Sequence, residues 1–187
     1  MTVWGVVEVD EHQFYLSPVT QDPTAVVATA GILDVGERHV VINTGIASGP
    51  VRVGVSVFEG PSGLVIETYE DVAQASITIA DEPLQLINVL GELAEDFSDE
   101  LAGATGLRGL RVSATGRDRA RDQVVDEPTE EYLIQIFSTV GPLEPALLRE
   151  PSVEIRHVSP DTSDDPSLDV GSADASARLN GPSRWPE

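Results

Sequence analysis

The chain has 187 residues, no cysteine, and a formal net charge of −21 from 32 acidic side chains against 11 basic ones, every one of them arginine. That length supports one domain burying about 70% of its unfolded surface, so no disulfide or metal staple is required, and cysteine chemistry of every kind is excluded. The long-range field repels nucleic acid and anionic lipid, and it attracts cations and basic proteins.

At the N-terminal end, TVWGVVEV and QFYL flank the polar turn of Asp10, Glu11 and His12 and read as a β-hairpin. No basic stretch precedes the first apolar residues, and the longest apolar run, AVVATAGIL, falls far short of the ~20 residues of a spanning helix. A soluble cytoplasmic protein with no membrane partner is therefore expected. RHVVINTG and VRVGVSVFEG follow, rich in β-branched residues and closed by glycine. In the second of these, Val51, Val53, Val55 and Val57 share one face and Arg52, Gly54 and Ser56 the other, the period of a strand with one face in a core. The pattern continues through GLVIETYE (residues 63–70), AQASITIA, LRVSATG and EYLIQIF. About nine short strands separated by turns predict a mainly β fold, an antiparallel β-sandwich over residues 1–158.

One segment reads two ways. Leu86, Leu90, Leu93, Phe97 and Leu101 recur at near-helical intervals, and Asp81 or Asp99 would serve as a cap. Pro83 and Gly91 favour instead a strand from about Leu84 to Leu90 followed by an acidic loop. Further on, LEPALLREP is either one helical turn or an extended strap, since its prolines keep it short. From Ser159 onward the chain is dominated by Ser, Pro and Asp with isolated apolar residues. Ordering it would cost more entropy than burial returns, so residues 159–187 are expected to form a disordered acidic tail.

Reactive motifs are sparse. A phosphate-gripping P-loop needs a lysine, and there is none. His12, His39 and His157 are far apart and form no metal-binding pair, so no metal is expected. No G-x-S-x-G elbow is present, and DTSDDPSLD lacks the central glycine and final glutamate of an EF-hand loop. Neither an enzyme nor a cofactor is indicated.

The arginines concentrate in GLRGLRVSATGRDRARD, residues 106–122. Alternation places Leu110, Val112 and Ala114 on one face and Arg111, Ser113, Thr115 and Arg117 on the other, predicting a half-buried strand with a basic outer stripe. Between residues 106 and 131, Arg108, Arg111, Arg117, Arg119 and Arg121 meet Asp118, Asp122, Asp126, Glu127, Glu130 and Glu131, so the segment is nearly neutral. Nucleic-acid binding would need an uncancelled positive stripe with interleaved aromatics. The expectation is structural ion pairing across one hairpin, involving Arg111, Arg117 and Asp118, with Arg117 and Asp118 as the fixed pair.

In order over roughly residues 5–138, VEVDEHQFYL, YEDVAQASITIADEPLQLINVLGE, GLRGLRVSATGRD and EEYLIQIF resemble the competence protein J family and its actinobacterial relatives. QDPTAVVATAGILDVGERHVV and the long tail depart from that family, and the tryptophan-containing segment has no counterpart here. The resemblance implies a non-enzymatic antiparallel β protein without a cofactor; the family's named member inhibits a DNA-entry nuclease. An acidic surface can occupy a phosphate-binding cleft as a decoy, which suits the charge of this chain. The expected contacts to a basic protein, such as a nuclease or toxin, are Glu95, Asp96, Asp99 and Glu100 in one loop and Asp126 and Glu127 in another. The alternatives are an adaptor or assembly subunit that uses a sheet edge, and a small-ligand or carbohydrate-binding sandwich. The last would need an exposed aromatic platform built from Trp4, Tyr15 or Tyr69.

Overall fold

Alternating β-branched and small residues build strands along most of the chain. The computed structural model describes residues 1–18, 26–60, 68–80 and 82–149, all within one compact unit, Met1–Ile155. Among them, in chain order, are β1 (Val3–Val9), β2 (Gln13–Ser17), β3 (Val26–Ala30), β4 (Leu33–Gly36), β5 (Val40–Asn43) and β6 (Gly49–Phe58). Then come β7 (Asp71–Ile79), β8 (Gln85–Ile87), a 3₁₀ turn (Glu95–Phe97), α1 (Ser98–Leu101), β9 (Gly106–Thr115), β10 (Glu131–Ser138) and β11 (Ala146–Arg149). The fold is mainly β, as the sequence pattern predicts. The expected strand at 63–70 lies mostly outside the described residues. The expected tail at 159–187, with its DTSDDPSLD run, and His157 lie wholly outside them.

The strands form a six-stranded sheet in the order β1-β6-β10-β9-β7-β11 and a five-stranded sheet in the order β3-β4-β5-β2-β8. Every pairing is antiparallel except that of β6 with β10, which is parallel. Period-two alternation holds where it was clearest: Val51, Val53 and Val55 of β6 are fully buried in one core with Phe14, Leu16, Ile42 and Leu86 of the smaller sheet. Burying side chains of this size contributes ~1.5–3 kcal/mol each. Phe14 of β2 meets Tyr132 of β10 edge to face across the sandwich, with centroids 5.5 Å apart and rings at 84°.

Three expectations need correction. The N-terminal hairpin is a corner: Asp10 bridges Gln13 through a turn with positive φ at Glu11 and His12, but β1 then pairs with β6 and β2 with β5 and β8. The turn chemistry is local, whereas the choice of partner is decided by the core. The strand expected at Leu84 to Leu90 shrinks to β8, and the acidic loop after it coils into the 3₁₀ turn and α1, because Phe97 and Leu101, one turn apart, both insert into the core. The basic outer stripe of β9 does not exist. Arg111 and Ser113 are buried, and Arg117 follows a left-handed Gly116 that turns it inward. Of the two forms open to LEPALLREP, the described residues 143–149 take the extended one, with β11 pairing along β7.

Candidate functional site

The carboxylates expected to act together lie at opposite ends of β6. Val125, next to Asp126 and Glu127, donates its N–H to the Ser48 carbonyl at 3.0 Å, just before β6 begins. Glu100 accepts the N–H of Val57, near the other end of β6, at 2.9 Å. Eight residues at ~3.3 Å each separate these points by about 26 Å. Glu100 is thus committed to an internal bond, while Glu95, Asp96 and Asp99 are exposed.

The exposed acids around the 3₁₀ turn gain unexpected neighbours. Phe97 inserts beneath Gly5 of β1, and a Cβ at Gly5 would lie 2.8 Å from the Phe97 ring and 3.2 Å from the Asp96 carboxylate. Only glycine admits this approach, and it carries the acidic turn onto the flank of β1. Nearby, Val6, Val7 and Glu8 face Asn88 and Glu92 to Ala94 across a groove of about 120 Å³. Asn88 holds the Glu92 carboxylate at 2.8 Å and accepts the Glu92 N–H at 2.8 Å, so the loop is shaped by its own side chains. Glu8, Glu92, Glu95, Asp96 and Asp99 are absent from the ion pairs among the described residues. Glu8 and Glu92 are not among the expected contacts: Glu92 opens the acidic loop and Glu8 lies far away in sequence on β1, and only the folding of loop 88–94 against β1 brings the two together.

Apolar groups sit beside these acids. Val6 is 50% exposed and Leu93 42%, and Trp4 is 38% exposed. Trp4 lies over Gly54 of the neighbouring strand, where a Cβ would approach its ring to 2.8 Å. The Arg52 guanidinium stacks on the indole, 4.5 Å from the ring centroid, and bonds the Glu131 carboxylate at 2.9 Å. Tyr69 donates to the same carboxylate at 3.3 Å. Burial, then the neighbouring Glu131 charge, pushes the Tyr69 phenol up to about 12. Tyr15 and Tyr69 are buried, which leaves Trp4 as the exposed member of the three candidate platform aromatics.

The arginine-rich segment is taken up by structure. Arg117 pairs with Asp71 of β7 at 3.4 Å, both side chains 4% exposed, while Asp118 turns outward to Arg121 at 2.7 Å. The expected pair of Arg117 with Asp118 is therefore wrong, because successive residues in this turn point to opposite sides. Arg111 donates to the Gln74 amide at 2.7 Å and its burial lowers its pKa. Arg108 reaches Ser138 at 2.6 Å and Glu59 at 3.7 Å. Arg119 borders a shallow cleft of about 320 Å³ with Arg52, Thr115, Thr129 and Glu131, where the facing carboxylates offset the two cations.

A buried polar knot lies at the β6 entry end. Glu130 is 2% exposed and accepts the N–H groups of Gly45 at 3.1 Å and Ile46 at 2.6 Å, in the loop after β5. Tyr132 donates to the same carboxylate at 2.5 Å. Burial raises the Glu130 pKa against the opposing pull of these bonds and of Arg117. Burial likewise raises Asp71 despite its arginine partner. It holds the Tyr132 phenol well above its ordinary value, with the Glu130 charge adding to the effect. The knot is enclosed and its bonds are internal, so its work is to join the two sheets.

Among the described residues, no three His, Asp or Glu side chains are arranged to hold a metal ion, and no helix is long and apolar enough to cross a membrane. No family model, curated protein or solved structure matches this chain. The class defined by the coordinates is a two-sheet, mainly antiparallel β protein, with exposed acidic and apolar groups gathered along one sheet edge.

Proposed function

We propose that this chain is a non-enzymatic acidic binding module whose partner is a basic protein, a nuclease being one candidate that fits. The observation carrying this reading is a set of exposed carboxylates absent from the ion pairs among the described residues: Glu8 and Glu92 beside the exposed Val6 and Leu93, Asp96 against Gly5 of β1, and Glu95 and Asp99 in the same acidic turn. Acidic groups steer a cationic partner and set the encounter rate, and the apolar groups supply the contact that water-exposed charges alone do not. Asp126 and Glu127, at the far end of β6, add only to the overall field.

The test is titration of a panel of purified basic proteins, including a basic nuclease, at about 50 and about 200 mM salt. Binding is expected to weaken at least ~10-fold between the two salts. The quadruple variant E8Q/E95Q/D96N/D99N is expected to lose ~10-fold or more at low salt. D126N/E127Q should stay within about 2-fold of the parent. Salt-independent binding, or equal losses in both variants, would refute the reading.

A further inference from the structure

Among the described residues the two sheets end in four edge strands, and three of them carry features that discourage pairing. β8 is three residues long. The register of β11 shifts between Leu147 and Arg149, and that of β3 shifts between Val26 and Ala28. Short edges and bulges are the ordinary defences against unwanted strand addition. β1 is neither short nor bulged: its seven residues run in unbroken register with β6, from Val3 opposite Val55 to Val9 opposite Gly49. It contains no proline, and Glu8 is its single charge. Among the described residues no backbone hydrogen bond closes its far side, so alternate N–H and C=O groups point off the edge.

From the sheet geometry we infer that β1 is a docking strand, which takes an extended segment of a basic protein as a further strand of the larger sheet. This deepens the reading above and rests on it. A strand added there presents alternate side chains to the two faces. One set falls on the flank of Glu92, Glu95 and Asp96, where Asp96 already lies against Gly5. The other set falls on Trp4 and Val6. The occupant is therefore a segment with cationic side chains at every second position and apolar ones between. Charge selects this occupant over a second copy: at a net charge of −21, two copies would bring like carboxylates together along the shared edge. The open backbone groups supply affinity and the alternating side chains supply selectivity, as in other cases of strand addition.

The experiment titrates the full chain with a synthetic peptide alternating arginine and valine, and with the same peptide N-methylated at every second amide. Methylation leaves the charge unchanged but removes the donors that would pair with β1. The unmodified peptide is expected to bind at low salt and to slow amide exchange across Trp4–Glu8 at least ~10-fold. The methylated peptide is expected to bind at least ~10-fold more weakly. V6K, which places a cation on the edge, should weaken the unmodified peptide ~10-fold, while V124K, the same change at the far end of β6, should not. Equal affinity of the two peptides, or equal effects of V6K and V124K, would overturn the docking strand and leave the acidic-module reading standing. Absence of binding by both peptides and by the basic proteins at low salt would overturn both.

Discussion

Glu130 offers the sharpest test of how the sandwich is held together. In Glu130→Ala, the Gly45 and Ile46 amides lose their acceptor in a site that is 2% exposed. The Tyr132 hydroxyl keeps a second acceptor, the Asn43 carbonyl at 3.4 Å. Two orphaned buried donors cost ~1–3 kcal/mol each, and release of a carboxyl that burial already disfavours returns part of this, leaving a net loss of about 3 kcal/mol. That is a large share of the ~5–15 kcal/mol typical of a domain. Glu130→Gln retains one carbonyl acceptor and should lose about half as much. The assay is urea unfolding followed by far-UV circular dichroism, comparing midpoints at constant slope. A loss below about 1 kcal/mol for the alanine variant, with the slope unchanged, would show that water or rearrangement satisfies the loop and that the knot does not join the sheets.

The neighbouring ion pair predicts a contrast between adjacent positions. Asp71→Asn should cost ~3 kcal/mol because it strands the buried Arg117 charge, whereas Asp118→Asn should cost no more than ~0.5 kcal/mol, both read by urea unfolding. Gly54→Ala drives a methyl into the Trp4 ring; it should cost ~1–3 kcal/mol, shift the Trp4 emission to longer wavelength and loosen the Arg52 stack on the indole. The pH dependence follows from the raised carboxyls of Asp71 and Glu130. Above the ordinary carboxylate range the folded chain keeps protons that the unfolded chain has released, so their contribution to stability falls as pH rises through that window. The unfolding midpoint should thus increase from about pH 7 to about pH 5, with a shallower slope in Glu130→Gln. A midpoint that rises with pH over this interval, or an unchanged slope in the variant, would contradict the assignment.

The strands were legible wherever alternation was local and long. β6, β7, β9 and β10 declare themselves through valine, isoleucine and alanine at every second position, and the turn at Asp10 to His12 through its polar residues. What the sequence could not supply was partnership. β1 and β2 look like a hairpin because the turn between them is tight, yet the core assigns them to different sheets. β3 and β4 were not separated within one apolar run, since the turn at Gly31 and Ile32 is apolar. The binding edge was half legible. Glu92, Glu95, Asp96 and Asp99 stand out as one acidic loop, but Glu8 joins them only through the folding of loop 88–94 against β1. The arginines misled in the opposite direction, because clustering in sequence suggested a surface stripe and folding sent Arg111 and Arg117 inside.

The Glu130 knot also sets the mechanical character of the molecule. Glu130 immediately precedes β10, the parallel partner of β6 in one sheet, and its carboxylate grips the loop leaving β5 in the other, so the halves of the sandwich cannot part at that end without breaking the bonds to Gly45 and Ile46. Those loop amides should therefore exchange with solvent as slowly as the central strands, and both sheets should melt as one cooperative body. A docked partner pulling on the opposite flank would strain a single rigid plate rather than peel away one layer.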